Sequence, residues 1–171
     1  MILHKPSLVK ASPMTRIDHD FKADCTPQAL WNALSDLTAV QHYNPTIASA
    51  RLMTGSSMGI GATRWCDLKP KGRVVERVIH WEDGAAIGLE VAESDWPMRS
   101  MRWVTRISPE EGGARVTQHL DYEMKFGLLG MVLNALVLRR KLTANVGSAL
   151  LGLISYAKGR EIAGAAARTT R

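Results

Sequence analysis

The sequence is poor in cysteine and phenylalanine and has no long apolar run, and each shortage closes off a class of protein. Only Cys25 and Cys66 occur in 171 residues. They form no CxxC pair and have no histidine at zinc spacing, so neither a disulfide framework nor a zinc site is indicated. The expectation is two buried or half-buried thiols in a reducing compartment, with a bond between them left open. The longest apolar run, Leu128 to Leu138, is 11 residues long, is interrupted by Asn134 and ends at Arg139-Arg140-Lys141. A helix that crosses a bilayer needs about 20 apolar residues. The first residues, Met1-Ile-Leu-His-Lys-Pro, lack the apolar core of a signal peptide. A cytoplasmic protein is expected. No Walker loop, Rossmann fingerprint or HExxH string is present.

What remains is ordinary globular material: 46% hydrophobic and 22% charged residues, in a length that suits one domain with a real core. Net charge is +6, which can attract nucleic acid, anionic membrane or anionic ligands. The charges are dispersed, and Arg139-Arg140-Lys141 is the one dense cluster. It reads as a solvated helix face, with no nucleic-acid partner expected. A transient contact with anionic membrane and a homodimer are left open.

Along the chain, residues 1–13 form an N-terminal arm with Pro6 and Pro13. Ile17, His19 and Phe21 alternate with Arg16, Asp18 and Asp20, as in a half-buried strand. Thr26-Pro27 supplies an N-cap and a first helical residue, and Ala29, Leu30, Ala33, Leu34 and Leu37 recur at helical spacing. A second short helix is expected over Thr38 to Tyr43. From about Ile47 to Lys125 the pattern is strands, broken at Gly55–Gly59, Lys69–Gly72, Glu82–Gly84, Ser94–Pro97 and Pro109–Gly113. Strands so spaced, with no helix between them, make an antiparallel meander. Leu128 to about Ile162 is helical, with Leu129, Val132, Leu133, Leu136, Thr143, Gly147, Leu150, Ile154 and Ala157 near one face. Such a helix must bury that stripe along the sheet.

This order resembles the START-like (SRPBCC) superfamily, in its polyketide cyclase/dehydrase and lipid-transport branch. The strings that carry the resemblance are Ala29 to Asp36, Gly59 to Arg64, Val74 to Asp83 and Gly113 to Thr117. Tyr43-Asn44-Pro45 stands where that family often has Trp-x-Pro. The resemblance implies an α+β helix-grip fold: a curved antiparallel sheet of about seven strands around a long C-terminal helix, with two short helices after strand 1. The domain is expected over 14–162, with 163–171 a flexible tail. No catalytic set transfers with such a fold.

Motifs with chemistry are few. Gly55-Ser56-Ser57-Met58-Gly59 matches GxSxG as a string, but a strand follows where the nucleophile elbow requires a helix. His80 and His119 fall within strands and are candidate proton carriers for one cavity, although a satisfied strand histidine is the plainer reading. No metal site, cofactor or catalytic residue is assigned. Glu76 sits on a strand with one charge on each face. A two-residue turn at Pro70-Lys71 would set Arg64 against Arg77, whereas a turn one residue longer brings Arg64 to the face of Glu76. Like charges opposed are unfavourable, so the longer turn is expected. Trp103, Gln118 and Tyr122 offer apolar surface with polar handles. An interior helix glycine costs about 1 kcal/mol, so Gly147, with Ala144 and Ser148, marks either close packing or room for a ligand.

The expected ligand site is therefore Arg64, Glu76, Trp103, Gln118, Tyr122 and the Gly147 region, in a cavity that binds a small lipid-like or aromatic molecule for carriage or sensing. The alternative is an aromatase/cyclase-like enzyme on a polyketide-like substrate in the same cavity, which positioning alone could accelerate. If Arg139–Lys141 contact membrane, vesicle binding should require anionic lipid and weaken with added salt. Equal binding to neutral vesicles in a sedimentation assay would reject that contact.

Overall fold

A computed structural model describes residues 14–53, 55, 57–125 and 137–169. The elements are β1 (Thr15–Ala23), α1 (Pro27–Ser35), α2 (Val40–Tyr43), β2 (Ile47–Leu52), β3 (Thr63–Leu68), β4 (Arg73–Glu82), β5 (Ala86–Ser94), β6 (Met98–Glu110), β7 (Gly113–Met124) and α3 (Arg139–Thr169). The seven strands form one antiparallel sheet in the order β1-β7-β6-β5-β4-β3-β2. This is the helix-grip arrangement. β1 and β2 lie on opposite edges, so the segment with α1 and α2 runs from one edge of the sheet to the other.

The period-two pattern decides which side of each strand is wet. On β7, Ala114, Val116, Gln118, Leu120, Tyr122 and Met124 are buried, while Arg115, Thr117, His119 and Asp121 face outward. The β6–β7 hairpin closes on Glu111-Gly112, with Gly112 at φ 81°, and pairs Glu110 with Gly113. That tight turn fixes the register as far as Thr105 opposite Gln118. The β3–β4 turn runs through Lys69, Pro70, Lys71 and Gly72 and sets Arg64 opposite Glu76. The longer of the two turns weighed from sequence is the one formed.

α1 starts as its sequence dictates. The Ala29 amide donates to the Thr26 hydroxyl at 3.2 Å, and Pro27 takes the first turn. The Thr26 amide and hydroxyl donate in turn to the Glu161 carboxylate of α3, and Lys158 pairs with Asp24. Trp31 meets Trp81 edge to face at 5.3 Å between ring centres. α2 is shorter than expected and begins at Val40, because Thr38 and Ala39 are held by Asp36 in a side-chain turn.

α3 buries Leu142, Val146, Gly147, Leu150, Leu153, Ile154 and Ala157. The expected stripe is buried from Gly147 onward. Before it, Leu142 and Val146 take the inward positions, and Thr143 only flanks them. Ala144 and Ser148 are exposed, so no inward patch of small residues exists around Gly147. The helix also continues to Thr169, fully exposed from Ile162 on, past the end read from sequence. Leu129, Val132, Leu133 and Leu136, like the arm at 1–13, lie outside the described residues. The two thiols are free and buried.

Two glycines let α3 approach its neighbours. A Cβ on Gly152 would lie 2.0 Å from the Tyr43 carbonyl oxygen of α2, and one on Gly147 would lie 3.2 Å from the His19 ring. By contrast, open space surrounds Gly159 on the same helix. Urea denaturation of single alanine variants should separate the three. Gly152→Ala loses about 1–3 kcal/mol or more through overpacking, Gly147→Ala less, and Gly159→Ala gains about 0.5–1 kcal/mol from helix propensity.

Candidate functional site

The inner side of the sheet and α3 frame a partly open cavity of about 110 Å³. Its walls are mainly apolar: Leu34 from α1, Val40 from α2, Leu89 and Val91 from β5, Leu120 from β7, and Leu142, Val146, Leu150 and Leu153 from α3. Trp96, in the β5–β6 turn, and Trp103 on β6 add indole surface. Half-buried Asn44 and Thr46 and exposed Asn145 mark the rim.

Against this apolar background stands one buried ion pair. Arg64 is 4% exposed and Glu76 is 8% exposed, and Arg64 Nε donates to Glu76 Oε2 at 2.6 Å. Arg64 Nη1 donates to the Leu37 carbonyl at 2.8 Å, which ties the α1–α2 junction to β3. Removing one partner from such a buried pair costs about 3–5 kcal/mol, because the other charge is left without compensation. The alternation that turns Glu76 inward turns Arg77 outward, where it pairs with Glu90. Burial works against the Arg64 charge, but Glu76, Tyr43 and Cys66 outweigh it and raise the guanidinium pKa further. The Tyr43 phenol is raised by burial against the opposing influence of Arg64. The Cys66 thiol, 3.9 Å from Glu76 Oε2, is pushed up to about 12 by burial and by that carboxylate.

The second polar feature lies on the β6–β7 wall. Thr105 Oγ1 donates to Gln118 Oε1 at 2.8 Å, and both residues are buried. The carboxamide oxygen is thus engaged, and the amide N–H groups of Gln118 are the remaining donors of that side chain.

Of the residues singled out from sequence, Arg64, Glu76, Trp103 and Gln118 come together in this lining. Tyr122 and Gly147 do not. Tyr122 is 0% exposed and belongs to the solid core, one inward position beyond Leu120. Gly147 faces His19 on β1, and its neighbour Val146 takes the cavity position. His80 and His119 are not in the lining either. His119 has outward parity on β7, with Nδ1 2.6 Å from Asp18, and His80 follows a bulge in β4 and lies over Gly88. Ser57 lies in the β2–β3 loop, which leads into a strand. Among the described residues, no group of three His, Cys, Asp or Glu side chains could hold a metal, and no helix is long and apolar enough to cross a membrane.

Sequence reasoning passed over Thr105 and Trp96 as site residues. For Thr105 a signal existed: a two-residue turn at Glu111-Gly112 already pairs it with Gln118. Trp96 follows from no periodicity, since it sits in a turn.

The thiol's raised pKa has a definite sign in stability. The folded state keeps the Cys66 proton up to about pH 12, while an unfolded thiol loses it near its ordinary value of 9.0. The unfolded state then binds fewer protons, and stability falls as pH rises through that window. Cys66→Ala should flatten the alkaline decline in urea midpoints. An unchanged slope would contradict the assignment.

No curated protein matches the chain by sequence. Among solved structures, the crystal structure of Ara h 8.0201 superposes with a TM-score of 0.69 at 11% identity, over 86% of this chain and 99% of that one. At that identity the likeness concerns the fold. The family model described as polyketide cyclase / dehydrase and lipid transport matches residues 14–158, nearly the whole described domain, and the chain therefore belongs to that family.

Proposed function

We propose that this protein binds a small hydrophobic ligand in the cavity between sheet and α3, as a carrier or sensor. The observation that carries the reading is the cavity itself: apolar walls from six strands and the three helices, with a few buried polar groups at fixed places. Ligand sites have that composition, because apolar surface supplies affinity and a few polar groups set orientation. Membership in a family of polyketide cyclases, dehydrases and lipid transporters supports a hydrophobic ligand.

One observation favours an enzyme. The Tyr43 hydroxyl, held protonated by burial, lines the cavity beside Arg64 and could donate a proton to a bound carbonyl. Against this, Glu76 is engaged by Arg64, and no histidine among the described residues reaches the lining. Binding without turnover is therefore the reading adopted.

Native mass spectrometry on protein purified from its own host should show a co-purified small molecule that is lost on denaturation. Ala149, half-buried on α3, lines the cavity without belonging to the packed core. Ala149→Phe should fill the space, abolish the bound mass and leave cooperative unfolding intact. Retention of the ligand by that variant would place the site elsewhere, and conversion of the ligand on incubation would favour the cyclase.

A further inference from the structure

Resting on that reading, we infer that the cavity selects an uncharged ligand of about one ring in size, bearing a hydrogen-bond acceptor, and rejects carboxylates. Three observations combine.

The first is charge. Among the described residues, Arg64 and Glu76 are the only charged ones in the lining, and each is the other's partner at 2.6 Å. A second guanidinium nitrogen is held by the Leu37 carbonyl. An anion drawn to Arg64 would sit beside the Glu76 carboxylate in a dry site, where like charges strongly disfavour one another. The lining as a whole is neutral, so it offers an anion no compensation for lost hydration.

The second is the donor on the opposite wall. Thr105 engages the Gln118 oxygen, so what Gln118 itself offers a ligand is its amide N–H groups. A carbonyl or ether oxygen suits them.

The third is size. The pocket is about 110 Å³ and is partly open at the rim marked by Asn44, Thr46 and Asn145. A dry apolar cavity of about 150 Å³ holds a benzene ring, so one ring fills the covered part, its substituent reaches the rim, and a long acyl chain would have to run out past it.

The test uses three probes of one ring each: acetophenone, benzoate and toluene. Binding to the full chain at neutral pH is followed by protein-observed NMR and by the fluorescence of Trp96 and Trp103. Acetophenone should bind about tenfold or more tightly than benzoate, with toluene between them. Glu76→Gln leaves Arg64 without its counter-charge, so benzoate should gain about tenfold while acetophenone changes less than about threefold. Gln118→Leu should bring acetophenone down to toluene and leave toluene unchanged. Benzoate binding to the unmodified protein within about threefold of acetophenone overturns the inference and leaves the ligand-binding reading intact. Failure of all three probes, toluene included, overturns the ligand-binding reading itself. The comparison on the unmodified protein decides the matter if a variant does not fold.

Discussion

The seven-stranded sheet is much wider than the helix that covers it, and the rest of the architecture answers that mismatch. Seven strands about 4.8 Å apart span roughly 29 Å, and a helix with its side chains is about 10–12 Å across. Twisted strands let the sheet curl toward the helix. α1 and α2 help to close what remains, because the β1-to-β2 segment has to travel from edge to edge. Gly152 lets α3 come down onto the Tyr43 backbone, and the Thr26–Glu161 contacts tie α1 to the far end of the same helix. The space left over is the cavity.

The polar groups of that space are economical. One cation and one anion cancel, and one hydroxyl engages one carboxamide, while the Cys66 thiol stays protonated next to Glu76 but outside the lining. Buried charges are tolerated when paired and further hydrogen-bonded. The Arg64–Glu76 pair also has an architectural role through the Leu37 carbonyl, because it fastens the crossing segment to the middle of β3. Structure and site are therefore hard to separate at this position. A variant there changes the cavity's charge and the anchoring of α2 together.

Much of this was legible in the residues. Strand faces follow parity, which is why Gln118 shares its inward face with Val116 and Leu120, and Trp103 shares its face with Met101 and Thr105. The Arg64–Glu76 pairing followed from turn length and charge repulsion alone. Helix phase was less legible. Gly147 and Val146 are adjacent and both buried, and only the path of α3 over β1 decides that the glycine meets His19 and the valine meets the cavity. Tyr122 shares a face with Gln118, but a face does not say where solid core ends and open space begins. His119 follows the plainer reading: its neighbour Gln118 points inward, so parity turns it to solvent, where it meets Asp18.

The strand order also governs how the molecule is assembled as it is synthesised. Among the described residues β1 pairs with β7 alone, so Ile17 on the first strand meets Leu120 only after most of the chain exists. At roughly 5–20 residues per second, translation keeps β1 waiting for several seconds or more. The Thr26–Glu161 contact spans 135 positions and comes later still. During that interval Ile17, Phe21 and the apolar face of α1 have no lasting cover. A nascent chain of this topology has apolar segments that wait long for cover, and its closure is non-local and slow.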